Sequence, residues 1–200
     1  MKISEATAFL ENAYVVLNQK YFGSQLPPVV ITIQSSKALG HYTMWDAWEN
    51  ETEGYREINL GAETLNRPIE QVIATLIHEM VHHYNATVLH QKDTSRGNTY
   101  HSKIFKQVAE GTGAILVDYD PRIGYSPTRP TDALIAFVEE MGWKGVDLSR
   151  NTPEKATRGR NNGVRKLVCP ECGCSVRATK EVHIACMSHD SPIEMVLEEK

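Results

Sequence analysis

Residues 66–84 read NRPIEQVIATLIHEMVHHY, and the fold turns on how this stretch is taken. Asn66 can cap a helix and Pro68 suits its first turn. Ile69, Val72, Ile73, Leu76, Ile77, Met80, Val81 and Tyr84 then make the helix apolar on nearly every side, so it must be buried. The spacing predicts this helix over about residues 67–89. It also carries His78, Glu79 and His82. Positions four apart on a helix point the same way, so the two imidazoles can reach one metal ion. Glu79 sits a third of a turn round, where its carboxylate can take a proton from a water that the ion activates. Burying three such polar groups costs free energy unless something such as a metal satisfies them. The stretch therefore predicts a hydrolytic zinc site.

Catalytic zinc takes three protein ligands and leaves one place for water. His83-Tyr84-Asn85-Ala86 follow His82, which excludes the patterns that draw the third ligand from the same run. The next helix, expected over about residues 98–110 and closed by Gly111 and Gly113, offers His101 and Glu110. Nine residues apart on a helix, they face opposite sides, so only one can meet the ion. Spacing leaves both open.

Upstream, residues 4–20 read as a helix behind Ser4, and Val29–Gln34 as a strand. Gly40–Trp48 and Tyr55–Leu60 read as a hairpin around the polar loop 49–54, with Trp45 and Trp48 packed against the protein. Downstream, Ala114–Tyr119 reads as a short strand, and Pro130 opens a last helix over Thr131–Met141. Tyr119, Arg122 and Tyr125 stand nearby as candidates to stabilise an oxyanion. His41, His83, His90 and His183 have no partner pattern and read as structural or solvated.

All four cysteines lie between residues 169 and 186. Cys169-Pro170-Glu171-Cys172-Gly173 has the form of a metal knuckle, two thiolates gripping one ion while the glycine permits the tight turn. Cys186 and His189, beyond a stretch 175–184 that alternates like a hairpin, complete a Cys3His structural zinc site. Cys174 is the leftover thiol; it could replace Cys172 or His189, but Cys172 and Cys186 at matched two-residue gaps give the more regular pair of knuckles. A ribbon over residues 164–200 is too small to fold well without its metal. Residues 151–163, rich in Asn, Thr, Gly and Arg, read as a flexible linker after a catalytic region at 1–150.

At 200 residues and 41 % hydrophobic, the chain can build one ordinary core and a small appendage. Its net charge of -4 excludes wholesale electrostatic binding to nucleic acid. Residues 1–150 hold 13 Lys+Arg against 18 Asp+Glu, net -5, and residues 151–200 hold eight against seven, net +1. Lys155, Arg158, Arg160, Arg165 and Lys166 concentrate the basic charge there. Nothing is long and apolar enough for a signal peptide or a membrane span. A cytoplasmic protein is expected, with a nucleoid-associated or nuclear place left open, and thiols that in a reducing compartment serve metal rather than disulfides.

Leu76-Ile77-His78-Glu79-Met80-Val81-His82, a downstream His101 with Phe105 four later, and Thr112-Gly113-Ala114 together resemble the SprT-like (Spartan-related) family of zinc metallopeptidases. Tyr21-Phe22-Gly23 before a strand and Gly40-His41-Tyr42 in a hairpin resemble its opening. The resemblance covers roughly residues 5–120, and some members also carry a C-terminal zinc ribbon. It implies a zincin-like α+β domain with a small sheet on the motif helix. It implies that His78, His82 and His101 hold a catalytic zinc and Glu79 is the base. The substrate it implies is protein, including protein bound or crosslinked to DNA, with linker and ribbon as the DNA contact. Where family ribbons commonly place a cysteine, this chain has His189.

Overall fold

The computed structural model describes residues 1–151 and 164–198. The chain divides into two compact units, Met1–Thr152 and Pro153–Lys200. Apart from Asn151, the linker expected at 151–163 lies outside the described residues.

The first unit opens with α1, Ile3–Phe22, which the Glu5 carboxylate starts by accepting the Lys2 N–H at 2.7 Å and Gly23 ends with φ 60°. Its buried face is Ala6, Leu10, Ala13, Tyr14 and Leu17. Strands β1 (Val30–Gln34), β2 (Gly40–Tyr42), β3 (Trp48–Glu49), β4 (Gly54–Tyr55) and β5 (Glu57–Gly61) follow. They give a sheet of order β1-β5-β2, in which β5 runs parallel to β1 and antiparallel to β2. All five residues of β5 are buried, as a central strand requires.

The expected hairpin is interrupted. Its ladder to β5 ends at Tyr42, and Trp48–Glu49 pairs separately with Gly54–Tyr55. Trp45 and Trp48, expected to pack, are instead 64 % and 47 % exposed, because they lie beyond the sheet. The Trp48 indole N–H donates to the Glu57 carboxylate.

Helix α2, Ile69–Thr87, has Pro68 rather than Asn66 at its cap position. It packs against β2, β5 and α1 and, among the later elements, against α3 (Lys103–Gly111), β9 (Thr128–Pro130) and α4 (Asp132–Glu140). Before α3 come β6 (Thr94–Ser95) and β7 (Tyr100–His101), a two-residue ladder where helix was expected from Asn98. The Ser102 hydroxyl accepts the Ile104 N–H and starts α3 one residue after His101. Strand β8 (Ile115–Val117) pairs antiparallel with β9, so Pro130 closes a strand instead of opening a helix. The last helix is capped by Thr131, whose hydroxyl accepts the Leu134 N–H.

Leu10, Leu17, Ile58, Leu60, Ile73, Leu76, Ile77 and Met80 are fully buried. Each contributes roughly 1.5–3 kcal/mol by leaving water, enough together to carry polar residues on α2. Truncating one, Leu76→Ala for example, would cost about 2–5 kcal/mol.

The second unit holds β10 (Arg165–Val168), β11 (Ser175–Ala178), β12 (Ala185–Cys186), β13 (Ile193–Glu194) and β14 (Val196–Leu197). β10 lies between β11 and β14, and β12 pairs with β13. The hairpin expected within 175–184 is not formed. Ser175–Ala178 pairs back on Arg165–Val168, so the turn is the cysteine knuckle itself. Both units together give a mixed α+β chain with four α-helices among the described residues, none long and apolar enough to cross a membrane.

Candidate active site

His78 and His82 lie one turn apart on α2, and β7 brings His101 to them. The Nε2 of His101 is 3.1 Å from that of His78 and 3.0 Å from that of His82. A turn at Gly124 clamps the backbone of His101: its N–H donates to Ile123 O at 3.0 Å, and its carbonyl accepts the Tyr125 N–H at 3.1 Å. Gly124 has φ +69°, and a side chain there would collide with the His101 carbonyl. Beneath the imidazoles lies Phe105, fully buried, with ring centroids 4.5, 4.7 and 4.8 Å from those of His78, His82 and His101.

The outer nitrogens fix how two of the rings face. His82 Nδ1–H donates to the buried Asp93 carboxylate at 2.8 Å, and the Asn85 amide donates to the same oxygen at 2.8 Å. That places the proton on Nδ1 and turns the Nε2 lone pair toward the other histidines. His78 Nδ1 is 3.3 Å from the Thr128 hydroxyl. Burial, and then the neighbouring imidazoles, hold His78 well below its usual pKa, and burial pulls His101 down to about 4. Neutral imidazoles are what a metal needs, and lone pairs gathered this closely repel unless a cation shares them. The donor set fits a zinc ion.

Glu79 is 5 % exposed, and burial pushes its carboxyl up to about 7. β2 passes it at Gly40, where a Cβ would lie 2.9 Å from Glu79 Oε1 and 3.0 Å from Thr75 Cγ2. Any larger residue would move either the strand or the carboxylate. His78, Glu79, His82 and His101 all line one cleft of about 780 Å³, floored by α2 and walled by residues 37–44 and 126–130.

A model of the SprT-like family matches residues 10–125, more than half of the chain and all of this site apart from its wall at residues 126–130. The chain belongs to the SprT-like family. Among curated proteins and solved structures, none matches. The SprT-like domain is accordingly of zinc-dependent metallopeptidase type, with His78, His82 and His101 as its candidate metal group.

Glu110, the competing ligand, sits in the last turn of α3, about 38 % exposed in its side chain and 3.6 Å from Lys106. The opposition expected between it and His101 on one helix does not arise, because His101 precedes α3. Tyr119 and Arg122 are exposed, Arg122 paired with Asp120 at 3.2 Å, and the Tyr125 ring packs on Tyr119 at 5.0 Å. None of these three lines the cleft, which corrects their candidacy for the oxyanion.

Asp93 and Thr128 escaped sequence reading. A carboxylate in the short polar loop between His82 and His101 is the signal that could have found Asp93. Among the other histidines, His83 is structural: its Nε2–H donates to Pro27 O at 3.2 Å and its Nδ1 accepts from Tyr42 Oη at 3.1 Å. Burial holds it down to about 4. His183 meets Glu194 at 3.0 Å on the surface, His90 is exposed, and exposed His41 stands at the cleft rim.

In the second unit the ligand atoms of Cys169, Cys172, Cys186 and His189 lie within 4.8 Å of one another. Cys169 Sγ is 3.3 Å from His189 Nε2, and Cys172 Sγ is 3.7 Å from Cys186 Sγ. Gly173 at φ +71° makes the tight turn, with its N–H donating to Cys169 O at 3.0 Å. The Ser188 backbone N–H draws the Cys186 thiol down to about 6, toward the thiolate that binds metal. Cys174 Sγ is 3.3 Å from Cys186 Sγ, and that neighbour pushes its thiol up to about 12. The group of Cys169, Cys172, Cys186 and His189 is consistent with zinc.

Proposed function

We propose that the SprT-like domain is a zincin-like endopeptidase, with zinc on His78, His82 and His101 and Glu79 as its general base. The second unit, on this reading, is a zinc ribbon whose ion, on Cys169, Cys172, Cys186 and His189, is structural. The observation that carries the proposal is three imidazole nitrogens converging beside a buried carboxylate in one cleft. Bound there, zinc supplies Lewis-acid polarisation of the scissile carbonyl and acidifies water. The chain's own residues do the rest. Asp93 orients the His82 ring and Thr128 faces the outer nitrogen of His78. Glu79, its carboxyl held near pH 7, takes the proton of the attacking water and passes it to the leaving amine nitrogen. A non-proteolytic zinc module is the alternative, and a buried Glu79 beside an intact histidine triad counts against it. An unfolded protein incubated with the zinc-loaded full chain tests the reading. Cleavage that stops with chelator and returns with zinc is expected. No cleavage by a protein that holds both its zinc ions would favour the alternative.

We further infer that the substrates include proteins held on DNA. Support comes from the family resemblance and from the basic stretch 155–166 in the first part of the second unit. Within the described residues Arg165 is 3.4 Å from Glu181 and Lys166 is 2.6 Å from Glu198, which takes up two of its five cations. Lys155, Arg158 and Arg160 carry the remainder and lie outside the described residues.

A further inference from the structure

Among the residues that line the cleft, Glu79 is the sole acid, whereas Lys37, Arg67 and Arg129 are cations. This is the reverse of residues 1–150 as a whole, with 18 acidic side chains against 13 basic ones. Arg129 is partly neutralised by Asp118 at 3.4 Å, in an exposed pair worth little. Arg67 differs. It is half-buried, its Nε donates to Thr64 O at 2.8 Å, and its Nη2 donates to Thr75 Oγ1 at 3.1 Å. No carboxylate pairs with it among the described residues, and the rest of its fork of five N–H donors is left for something else. Burial lowers its pKa, a cost that a bound anion would offset.

The position of this guanidinium follows from the helix. Thr75 precedes His78 by three residues and Glu79 by four, so Arg67 lies about one helical turn, roughly 5–6 Å, beyond the reacting end of the cleft. β2 runs alongside α2 in the same sense, Gly40 against Thr75 and Glu79, Tyr42 against His83. Lys37, in the bend that leads into β2, lines the same cleft as Arg67.

We propose that this end of the cleft is a carboxylate-binding subsite, anchored by Arg67 with Lys37 as a second cation, that selects peptide substrates with an acidic group beside the scissile bond. The inference rests on the peptidase reading above. An extended chain advances roughly 3.3 Å per residue, so the acidic group sits one or two residues from the bond that is cut. The carboxylate is an Asp or Glu side chain or a free chain terminus. A charge-assisted, bidentate contact of this kind is worth about tenfold in selectivity.

The test uses the zinc-loaded full chain and a set of peptides with Glu, Gln or Lys at each position flanking one scissile bond, each made with a free and an amidated C-terminus. Expected is a kcat/KM about tenfold higher for Glu than for Gln at one position, with Lys poorer than Gln. The free and amidated pairs tell a side-chain carboxylate from a terminal one. Arg67→Gln, which keeps a donor for the Thr75 hydroxyl, should bring the Glu/Gln ratio close to one, and Arg67→Lys should retain part of it. A brace that only held Thr64 to Thr75 would change stability and leave this ratio alone.

Anisotropy with labelled Glu and Gln peptides on zinc-loaded Glu79→Gln protein gives the same ratio as affinity, without turnover. If no peptide is cut, the peptidase reading fails, and this binding ratio still decides the subsite. Should Arg67→Gln fail to fold, the ratios of the wild type and of Lys37→Gln decide it. Glu and Gln peptides used and bound equally by the wild type would overturn the proposal. An oligonucleotide that displaces both peptides alike, and loses that ability with Arg67→Gln, would assign the subsite to phosphate and overturn it too.

Discussion

Around His78, His82 and His101 the candidate metal-ligating atoms sit on and beside a helix whose own Leu76, Ile77 and Met80 are fully buried, as is the neighbouring Phe105. Around Cys169, Cys172, Cys186 and His189, by contrast, the buried hydrophobic cluster consists of Leu167, Met195 and two of the cysteines themselves. The histidine triad is thus superimposed on a fold that has its own reasons to form. The cysteine group is most of what its unit has. Burial also works differently in the two places. At the triad it holds the His78 and His101 imidazoles down and raises Glu79, which prepares chemistry. In the cysteine group Cys169 and Cys186 are buried too, but there the leading influence on the Cys186 thiol is the Ser188 backbone N–H.

Metal removal should separate the two regions most sharply. Structural zinc contributes on the order of 10–16 kcal/mol to small domains, against a core here of a few side chains. Stripping both ions should collapse the amide signals of residues 164–198 in an NMR spectrum while those of 1–151 keep their dispersion. A metal-free second unit with dispersed signals would erase the contrast.

The next effect belongs to the packed side alone. His83 sits at about 4 in the fold because of burial, against about 6.5 when unfolded. Above both values it is neutral in each state, and stability is whole. As pH falls below about 6.5 the unfolded chain takes up the proton first, so stability drops by about 2 kcal/mol between pH 7.5 and pH 5. Denaturant unfolding of wild type and His83→Gln at the two pH values checks this: the wild type should lose more stability than the variant. Equal losses would mean that His83 is not held neutral by its burial beside Tyr14 and Tyr42.

Asp93→Asn should weaken zinc at the triad by about 10–100-fold, read by chelator competition, and leave the ribbon's zinc untouched. A shift at both sites would show that Asp93 serves the fold more than the ligand. The smallest effect concerns the tail. Deleting residues 153–200 should weaken binding to single-stranded oligonucleotides several-fold at low salt, with the difference fading as salt is raised. Unchanged binding in anisotropy would remove the DNA role.

Much of this arrangement can be read in the sequence, for identifiable reasons. The run from Ile69 to Tyr84 is apolar all round, so one helix and its burial follow, and spacing then puts His78 and His82 together. Spacing leaves His101 and Glu110 both open, and the choice of His101 rests on the family resemblance. Its segment reads as the start of a helix, yet the short ladder of Thr94–Ser95 with Tyr100–His101 wins, and Ser102 starts α3 after it. Thr128-Arg129-Pro130 carries no strand pattern and forms one because Ile115–Val117 pairs with it, which also sets Thr128 beside His78. Asp93 looks like any acid in a polar loop, since its partners are contributed by another element. Trp45 and Trp48 are exposed because the ladder to β5 stops at Tyr42, an end that nothing in the run from Gly40 to Trp48 marks.

The most direct measurement is Glu79→Gln, with zinc content and protein cleavage read on the same preparation. Gln keeps the size of the side chain and removes its basicity, and Glu79 is assigned to the water's proton and not to the metal. Two zinc ions per chain should therefore remain, while cleavage falls about a hundredfold or more. Cleavage close to that of the wild type, or loss of the triad's zinc in the variant, would contradict the assignment of Glu79 as the base beside a three-histidine zinc.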